Sequence, residues 1–406
     1  MTWPMKPLSE LCELAIDCVN KTAPVVEGPT PYKMIRTTNV KGGFIDTETV
    51  RYVTKDTFEK WTRRSRPQYG DVILTREAPV GEVGRCTFDD SQNIFLGQRL
   101  FQYRPKPELL NWNYLAYALQ SPVVQNKLHG VSFGATVPHV KVGDAENLEI
   151  PCPELGVQEY VGETLAAYDD LIENNQRRIA LLEESARLLF REWFVNLRFP
   201  GSESIPVTDG IPNGWHAGVF GDFVEAVGGA TPDTKRADYW DGDIVWLTPT
   251  DVTRNDCLFL PDSERKITAS GYESCSAKLL PPGTIFMTSR ASIGYFALLD
   301  KPACTNQGFI AVVPKIDDSR NFLLFHLMDR VEEFEAVSTG ATFKELSKKK
   351  FKELRTVIPD AITLSAFSEK TQPILDLVTA LKKQNINLIE SRNALLPKLM
   401  SGEIQV

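Results

Sequence analysis

The chain has 406 residues, 42% hydrophobic and 10% aromatic, and a net charge of −8 at pH 7. It is too long for one ordinary core and too apolar to be disordered, so several compact units are expected. The acidic total excludes a general nucleic-acid coat, whose affinity comes from clustered Lys and Arg that release counterions, but it leaves room for local basic strips.

The first residues, MTWPMKPLSEL, form no apolar leader, and nowhere do roughly 18 apolar residues run together. Neither secretion by a visible signal nor a membrane span is expected. Cys12, Cys18, Cys86, Cys152, Cys257, Cys275 and Cys304 are odd in number and scattered, with no C-x-x-C pair. They indicate neither a disulfide framework nor a zinc knuckle, and a reducing cytoplasm fits them best.

In chain order, the first feature is an apolar run, YKMIRTTNV (32 to 40), that ends in Thr37 and Asn39. The segment KWTRRSRPQYG follows, with Lys60, Arg63, Arg64 and Arg66 interleaved with Trp61 and Tyr69. GDVILTREAPVG (70 to 81) carries Arg76, LGQRLFQY carries Gln98 and Arg99, and a Gly-Ala-Thr turn at 134 to 136 leads into His139 and Lys141. Val, Ile, Phe and Thr runs punctuated by Gly and Pro predict a mixed α/β or mostly β globule. After PCPELG a helix is predicted from near Val157 to about Asn196. Leu165, Ile172, Ile179, Ala186 and Trp193 recur at sevens, with Tyr168, Asn175, Leu182 and Leu189 on a companion line. That is a heptad seam.

FPGSESIPVTDGIPNGW (199 to 215) reads as a linker, and beyond it the chain repeats itself. IVWLTPTDV (244 to 252), containing Thr250, answers the run at 32 to 40, and Arg254 lies just beyond it. GTIFMTSRASIG (283 to 294), containing Arg290, answers the block at 70 to 81. TNQGFIAV, with Asn306 and Gln307, answers LGQRLFQY. A second Gly-Ala-Thr turn lies at 340 to 342, so Thr342 stands 206 residues after Thr136. It opens GATFKELSKKKFKEL, which holds Lys344, Lys348, Lys349 and Lys350. A second helix is predicted from Leu364 to Met400, with Ile374, Leu381, Leu388 and Leu395 at sevens and Val378, Asn385 and Leu399 beside them.

Helices of roughly 40 residues, about 60 Å at 1.5 Å per residue, outreach a globule of this size, so each needs a partner and the other copy supplies it. The expected fold is α+β: two pseudo-two-fold-related globules separated by two long antiparallel coiled-coil helices. With the 206-residue offset, Asn385 maps onto position 179, so Asn175 and Asn385 lie symmetrically about 177 and should meet as a register-fixing pair.

Two similar globules on a helical spacer suit contact with two places on a duplex. Arg, Gln and Asn are the side chains that pair with guanine and adenine edges, whereas a Lys-rich strip suits phosphate. The candidate DNA-binding set is therefore every Thr, Asn, Lys, Arg, Gln and His singled out in the two globules, which leaves out the helix residues Asn175, Asn196 and Asn385, with the metal and catalytic sets empty. No G-x-x-x-x-G-K-[ST] loop, no Asn/Asp-Pro-Pro-Tyr tetrapeptide and no Gly-rich turn suited to S-adenosylmethionine occurs. PDSERK (261 to 266) resembles a nuclease motif only superficially, since Asp262 and Glu264 share one short loop. His129, His139, His216 and His326 show no metal spacing.

Through NNQRRIALLEESARLLFREWFV, DGIPNGW, LLPKLMSGEI, GDVILT and the two Gly-Ala-Thr blocks, the chain resembles the DNA-specificity subunits of Type I restriction-modification systems over nearly its whole length. The resemblance implies target-recognition domains over 1–156 and 216–361, helical regions over 157–198 and 362–406, and a linker over 199–215. It implies a non-catalytic subunit that recognises a bipartite asymmetric sequence in double-stranded DNA. It also implies assembly with two adenine-methylating modification subunits and with restriction subunits, which would carry S-adenosylmethionine, ATP and Mg. A coiled-coil scaffold that binds no DNA, or a stand-alone methyltransferase or nuclease, is the competing expectation. Binding of labelled S-adenosylmethionine by the purified chain, or a salt-insensitive association, would mark those alternatives.

Overall fold

The computed structural model describes residues 3–88, 90–133, 138–340 and 344–404. The chain divides into two compact units, Met1–Glu173 with Asn387–Val406, and Asn174–Ile386. The division cuts through both long helices, so the units do not coincide with the domain boundaries expected from the sequence.

The first unit is built on two sheets. A four-stranded antiparallel sheet runs in the order Cys12–Asp17, Leu100–Pro105, Val72–Arg76, Val80–Arg85. A three-stranded sheet runs Arg51–Tyr52, Lys33–Ile35, Ile94–Leu96, its last two strands parallel with Lys33 opposite Ile94. Strands Met5–Pro7 and Glu149–Pro151 pair separately. Runs such as VILT are fully buried because helix Trp112–Gln120 covers the sheet, and Leu74, Phe101, Tyr103, Leu115 and Leu119 share its core.

The second unit repeats these three sheets in the same strand order, without, among the described residues, a counterpart of the small pair Val40–Lys41 and Phe44–Ile45 of the first. Its four-stranded sheet runs Val224–Gly228, Phe309–Pro314, Ile285–Thr288, Phe296–Ala297. Its three-stranded sheet runs Lys266–Ile267, Trp240–Leu247, Ala303–Thr305, again with a parallel pair, Val245 opposite Ala303. Strands His216–Val219 and Arg355–Ile358 form the separate pair. The linker is not plain coil: Val207–Thr208 and Ile211–Pro212 form a small hairpin, while Phe199 and Trp215 pack into the core of this unit.

The same small devices fix both frames. Thr75 Oγ1 accepts from the backbone N–H of Glu82 at 2.9 Å, and Thr288 Oγ1 accepts from Tyr295 N–H at 2.9 Å. Both threonines are fully buried, so each hydroxyl satisfies an amide that would otherwise be orphaned inside the sheet. Ala78 and Ala291 hold the same turn with φ of 49° and 64°.

The central helix spans Leu155–Phe190 and continues as a π-turn over Arg191–Val195; the C-terminal helix spans Ala361–Ser401. The central seam is buried as its sevens predict: Leu165, Ile172, Ile179, Ala186 and Trp193 are between 0% and 7% exposed. The matching line on the C-terminal helix is Thr371, Val378, Asn385, Arg392 and Leu399, each 206 residues beyond its counterpart. Ile374, Leu388 and Leu395 are only half-buried, as are Tyr168, Leu182 and Leu189, while Asn175 and Leu381 are buried.

Within the second unit the helices run antiparallel: Phe190 packs against Phe367, Ile179 clusters with Val378 and Leu381, and Asn175 meets Asn385. The Asn175 amide donates to Asn385 Oδ1 at 2.9 Å and to Gln384 Oε1 at 2.9 Å. Within the first unit, the buried Asp169 accepts from the Tyr117 hydroxyl at 2.6 Å and pairs with Arg392, and Arg85 lies 3.8 Å away.

Candidate nucleic-acid interface

Each unit carries a concave face where the loop after its first long strand meets the end of the parallel strand pair. In the first unit the backbone N–H of Gly97 donates to Ile35 O at 2.8 Å; in the second, Asn306 N–H donates to Leu247 O at 3.0 Å. These bonds place the segments 97–99 and 306–308 at the same step of the two frames. The first concavity is lined by Thr22, Arg36, Thr37, Thr38, Gln98 and Arg99, the second by Thr250, Thr253, Arg290, Ser292, Asn306 and Gln307.

Gln98 and Gln307 sit alike. Thr22 Oγ1 donates to Gln98 Oε1 at 3.3 Å, and Thr231 Oγ1 donates to Gln307 Oε1 at 2.6 Å, each pair 76 residues apart. Arg99 pairs with Glu77 at 3.3 Å and remains 40% exposed.

The turns that carry Arg76 and Arg290 resolve a register that the sequence blocks left loose. Val140 N–H donates to Arg76 O at 3.0 Å, and Leu346 N–H donates to Ser289 O at 2.9 Å, so Ser289 is the counterpart of Arg76. Bridges from Glu77 to His139 and from Arg290 to Glu345 make Glu77 the counterpart of Arg290, and His139 that of Glu345. Equivalent steps therefore differ in charge: Glu77 stands against Arg290, and the carboxylate of Glu345 stands where the first unit has His139. Arg290 lies 3.9 Å from Glu345 and is 54% exposed.

Two expected contact residues are corrected. Asn39 is 3% exposed; its Oδ1 accepts from Arg36 N–H at 2.9 Å and its Nδ2 donates to Thr49 O at 3.1 Å. It caps a short 3₁₀ turn, as Asp251 does when it accepts from Thr248 N–H at 2.7 Å, and it has no group left for a base. Arg76 is half-buried and donates to Val140 O at 2.7 Å, so its guanidinium ties a strand end to the chain beyond the Gly-Ala-Thr block and is engaged within the unit.

The basic segment after helix Lys55–Trp61 is exposed, with part of its charge engaged. Arg64 pairs with Asp17 at 2.8 Å, and Arg66 donates to Asn93 at 2.7 Å and stacks 5.0 Å from the Phe58 ring centroid. Arg63 donates to Lys60 O at 3.0 Å, and Lys60 is exposed. Trp61 Nε1 donates to Lys21 O at 3.3 Å, which joins this segment to the loop of Thr22. His139 and Lys141 are exposed, and the Lys141 ammonium lies 4.2 Å from the centroid of the exposed Phe133 ring.

In the second unit Lys344, Lys348, Lys349 and Lys350 are all exposed. Ser347 caps helix Lys348–Glu353 by accepting from Lys350 N–H at 3.2 Å, and the buried Phe351 anchors that helix, so three consecutive lysines stand out from a fixed turn. Arg254 pairs loosely with Glu264 at 3.7 Å, both exposed. Thr136 and Thr342 lie outside the described residues. The sequence reading missed Thr22, Arg36, Thr38, Thr231, Thr253 and Ser292. The equal spacing of Thr22–Gln98 and Thr231–Gln307 was the signal that could have found two of them.

Two half-buried ionisable groups report on packing within the second unit. Burial pushes the Glu183 carboxyl up to about 7, against the opposing pull of the Leu258 N–H it accepts from at 2.6 Å, with Asp256 raising it and Lys382 lowering it. Burial, helped by Arg330, holds His326 down at about 3, and its Nε2 lies 2.8 Å from the Thr356 hydroxyl. All seven cysteines are free, and burial pushes Cys12 and Cys304 up to about 12, so these thiols are inert. Among the described residues no group of His, Cys, Asp and Glu could hold a metal, and no helix is long and apolar enough to cross a membrane.

A duplicated α+β frame that keeps its buried scaffold and changes the charges on its outer steps defines a two-headed recognition protein. Residues 1–184 and 212–397 match the Type I restriction modification DNA specificity domain, and the chain belongs to that family, whose role is DNA sequence specificity. It is 37% identical over 177 residues to the Type I restriction enzyme MjaIX specificity subunit of Methanocaldococcus jannaschii, covering 43% of this chain and 41% of that one. The HindI specificity subunit of Haemophilus influenzae is 20% identical, with 82% of this chain and 86% of that one covered. The fold is also that of the crystal structure of the Type-I restriction-modification system S subunit from M. genitalium, with a TM-score of 0.61 at 17% identity over 98% of this chain and 96% of that one.

Proposed function

We propose that the chain is the non-catalytic DNA-reading subunit of a Type I system: it recognises a bipartite asymmetric target and directs two adenine-methylating modification subunits, and restriction subunits, to it. S-adenosylmethionine, ATP and Mg then belong to those partners, this chain binds none of them, and the complex works in the cytoplasm.

The observation that carries this reading is the replacement of Glu77 by Arg290 and of His139 by Glu345 at equivalent steps of matching frames. A buried frame kept with its outer charges altered is what two readers of different half-sites require. The lysines at 348 to 350 supply positioning contacts, since phosphate contact fixes register without reading sequence.

Co-expression with the modification partner and mapping of modified adenines in the host genome tests the proposal. The expected result is one two-part asymmetric sequence, bound by the purified complex with an affinity that falls steeply with salt while a preference over unrelated DNA persists. Methylation at scattered or palindromic sites, or binding of S-adenosylmethionine by this chain alone, would overturn it.

A further inference from the structure

We infer that Gln98 and Gln307 are base-reading residues that recognise the same base, an adenine, one in each half of the target. The inference rests on the DNA-reading role proposed above and adds to it which residues the two copies use in common.

Around each glutamine the neighbouring residues change between the copies: Arg76 becomes Ser289, Glu77 becomes Arg290, Arg99 becomes Gly308 and His139 becomes Glu345. The glutamine does not change, and neither does the threonine 76 residues before it that holds it. Readers of two unlike words share only what both words contain, so a side chain retained on the open face answers a shared letter.

The chemistry of the pair selects that letter. Each threonine hydroxyl donates to Oε1, at 3.3 and 2.6 Å, and holds the amide at the mouth of its concavity. The carbonyl oxygen keeps a second lone pair, and Nε2 keeps both donors with no acceptor among the described residues. One acceptor beside one donor, held in a fixed plane, is the complement of adenine N6–H and N7 in the major groove.

A purely structural role for the pair is weaker, because other bonds already hold its loops. Trp61 Nε1 donates to Lys21 O at 3.3 Å beside the buried Ala23. In the second unit Ala230 N–H donates to Thr305 O at 2.9 Å, and Ala230 O accepts from Trp246 Nε1 at 2.9 Å. Gln307 is exposed and Gln98 half-buried, so neither fills a core.

The test uses the full chain with its modification partner and duplexes carrying the mapped site, in which 7-deazaadenine replaces each adenine in turn. The wild type should lose about tenfold or more at one adenine in each half-site. Gln98→Ala should show that loss on the natural duplex and no further loss with the analogue at its adenine, while remaining sensitive to the analogue in the other half. Gln307→Ala should show the reverse. Thr22→Val and Thr231→Val should each weaken the same half-site as the glutamine they hold.

Equal weakening on every duplex, the mapped site and unrelated DNA alike, would make the glutamines backbone contacts and overturn the inference. Unchanged affinity, or a loss that tracks a lowered melting temperature, would also overturn it. Failure of the underlying role has a different signature: the wild type would then show no preference for the mapped site over unrelated DNA.

Discussion

Asn175 and Asn385 face each other across the helix pair with their side-chain amides 2.9 Å apart, 0% and 4% exposed, between the apolar steps of Ile172, Ile179, Val378 and Leu381. An amide pair at such a depth, with Gln384 as a further acceptor for Asn175, stabilises little by itself and penalises other alignments of the helices, because a slip sets each buried amide against an apolar step. Replacing Asn385 alone by Leu should cost on the order of 1–3 kcal/mol, since the Asn175 donor group loses that acceptor. The Asn175→Leu, Asn385→Leu double variant should recover most of that stability. Denaturant melts of the two singles and the double, read as a cycle, check this, and simple additivity would argue against a coupled pair.

Arg392 neutralises Asp169 in the first unit, where Asp169 is fully buried and also holds the Tyr117 hydroxyl. Arg392→Met should destabilise by less than the roughly 3–5 kcal/mol of stranding a buried charge outright, because Arg85, 3.8 Å away, still faces Asp169. Adding Asp169→Asn should restore part of it, because the amide can still accept from Tyr117. Thermal unfolding of the three variants decides between this and a merely peripheral pair.

Glu183 should make stability depend on pH in an unusual direction. Its folded-state carboxyl sits at about 7, above the ordinary carboxylate value, so between roughly pH 4.5 and 7 the folded state binds more protons than the unfolded state. The contribution of this group therefore favours folding at low pH and is lost as pH rises through about 7. Glu183→Gln keeps an acceptor for the Leu258 N–H and removes the charge. It should raise stability at pH 8, by on the order of 1–3 kcal/mol, with the gain shrinking to nothing near pH 4.5. Chemical denaturation of both proteins across that range measures it.

His326 acts in the opposite sense. Burial keeps it neutral down to about pH 3, so its contribution is complete above the unfolded value near 6.5 and declines as pH falls below it. His326→Gln, which retains a polar partner for Thr356, should flatten the acid limb of the stability profile below pH 6.5 while lowering stability at neutral pH through lost stacking on Phe322.

The lysines at 348, 349 and 350 should behave as positioning groups on the duplex backbone. Their triple replacement by Ala should weaken binding to all sequences about equally and reduce the slope of log affinity against log salt by about one unit for each phosphate no longer neutralised. Arg290→Ala should instead weaken one half-site. Filter or fluorescence titrations over a salt series separate the two behaviours, and an unchanged slope would remove the strip from the interface.

What could be read in advance follows from what each feature depends on. The heptad line Leu165 to Trp193 and the meeting of Asn175 with Asn385 were legible because a helix turns sequence spacing directly into a face. The duplication was legible because buried strands such as VILT and IFMT keep their pattern. The 213-residue spacing from Gly70 to Gly283 and from Gly81 to Gly294 already set Arg76 over Ser289 and Glu77 over Arg290, and setting Arg76 beside Arg290 slipped that register by one step. Asn39 was misread for a related reason. An Asn at the end of an apolar run suits a base contact and a turn cap equally, and only the amide of Arg36 beside it decides. The long helix Ala361–Ser401 was expected, but its deepest line passes through Thr371 and Arg392, polar residues that hydrophobic periodicity does not score.

The asparagine pair also decides which helices can associate. With the 206-residue offset, Asn385 stands where the central helix has Ile179, and Asn175 stands where the C-terminal helix has Leu381. Two central helices from separate molecules, docked in the same antiparallel alignment, would set each Asn175 against an isoleucine; two C-terminal helices would set each Asn385 against a leucine. Either union buries stranded amides, and only the mixed union within one chain joins them. A lineage that began as twin copies has thus acquired a mark that makes self-pairing between neighbours costly, and that keeps one chain carrying one of each head.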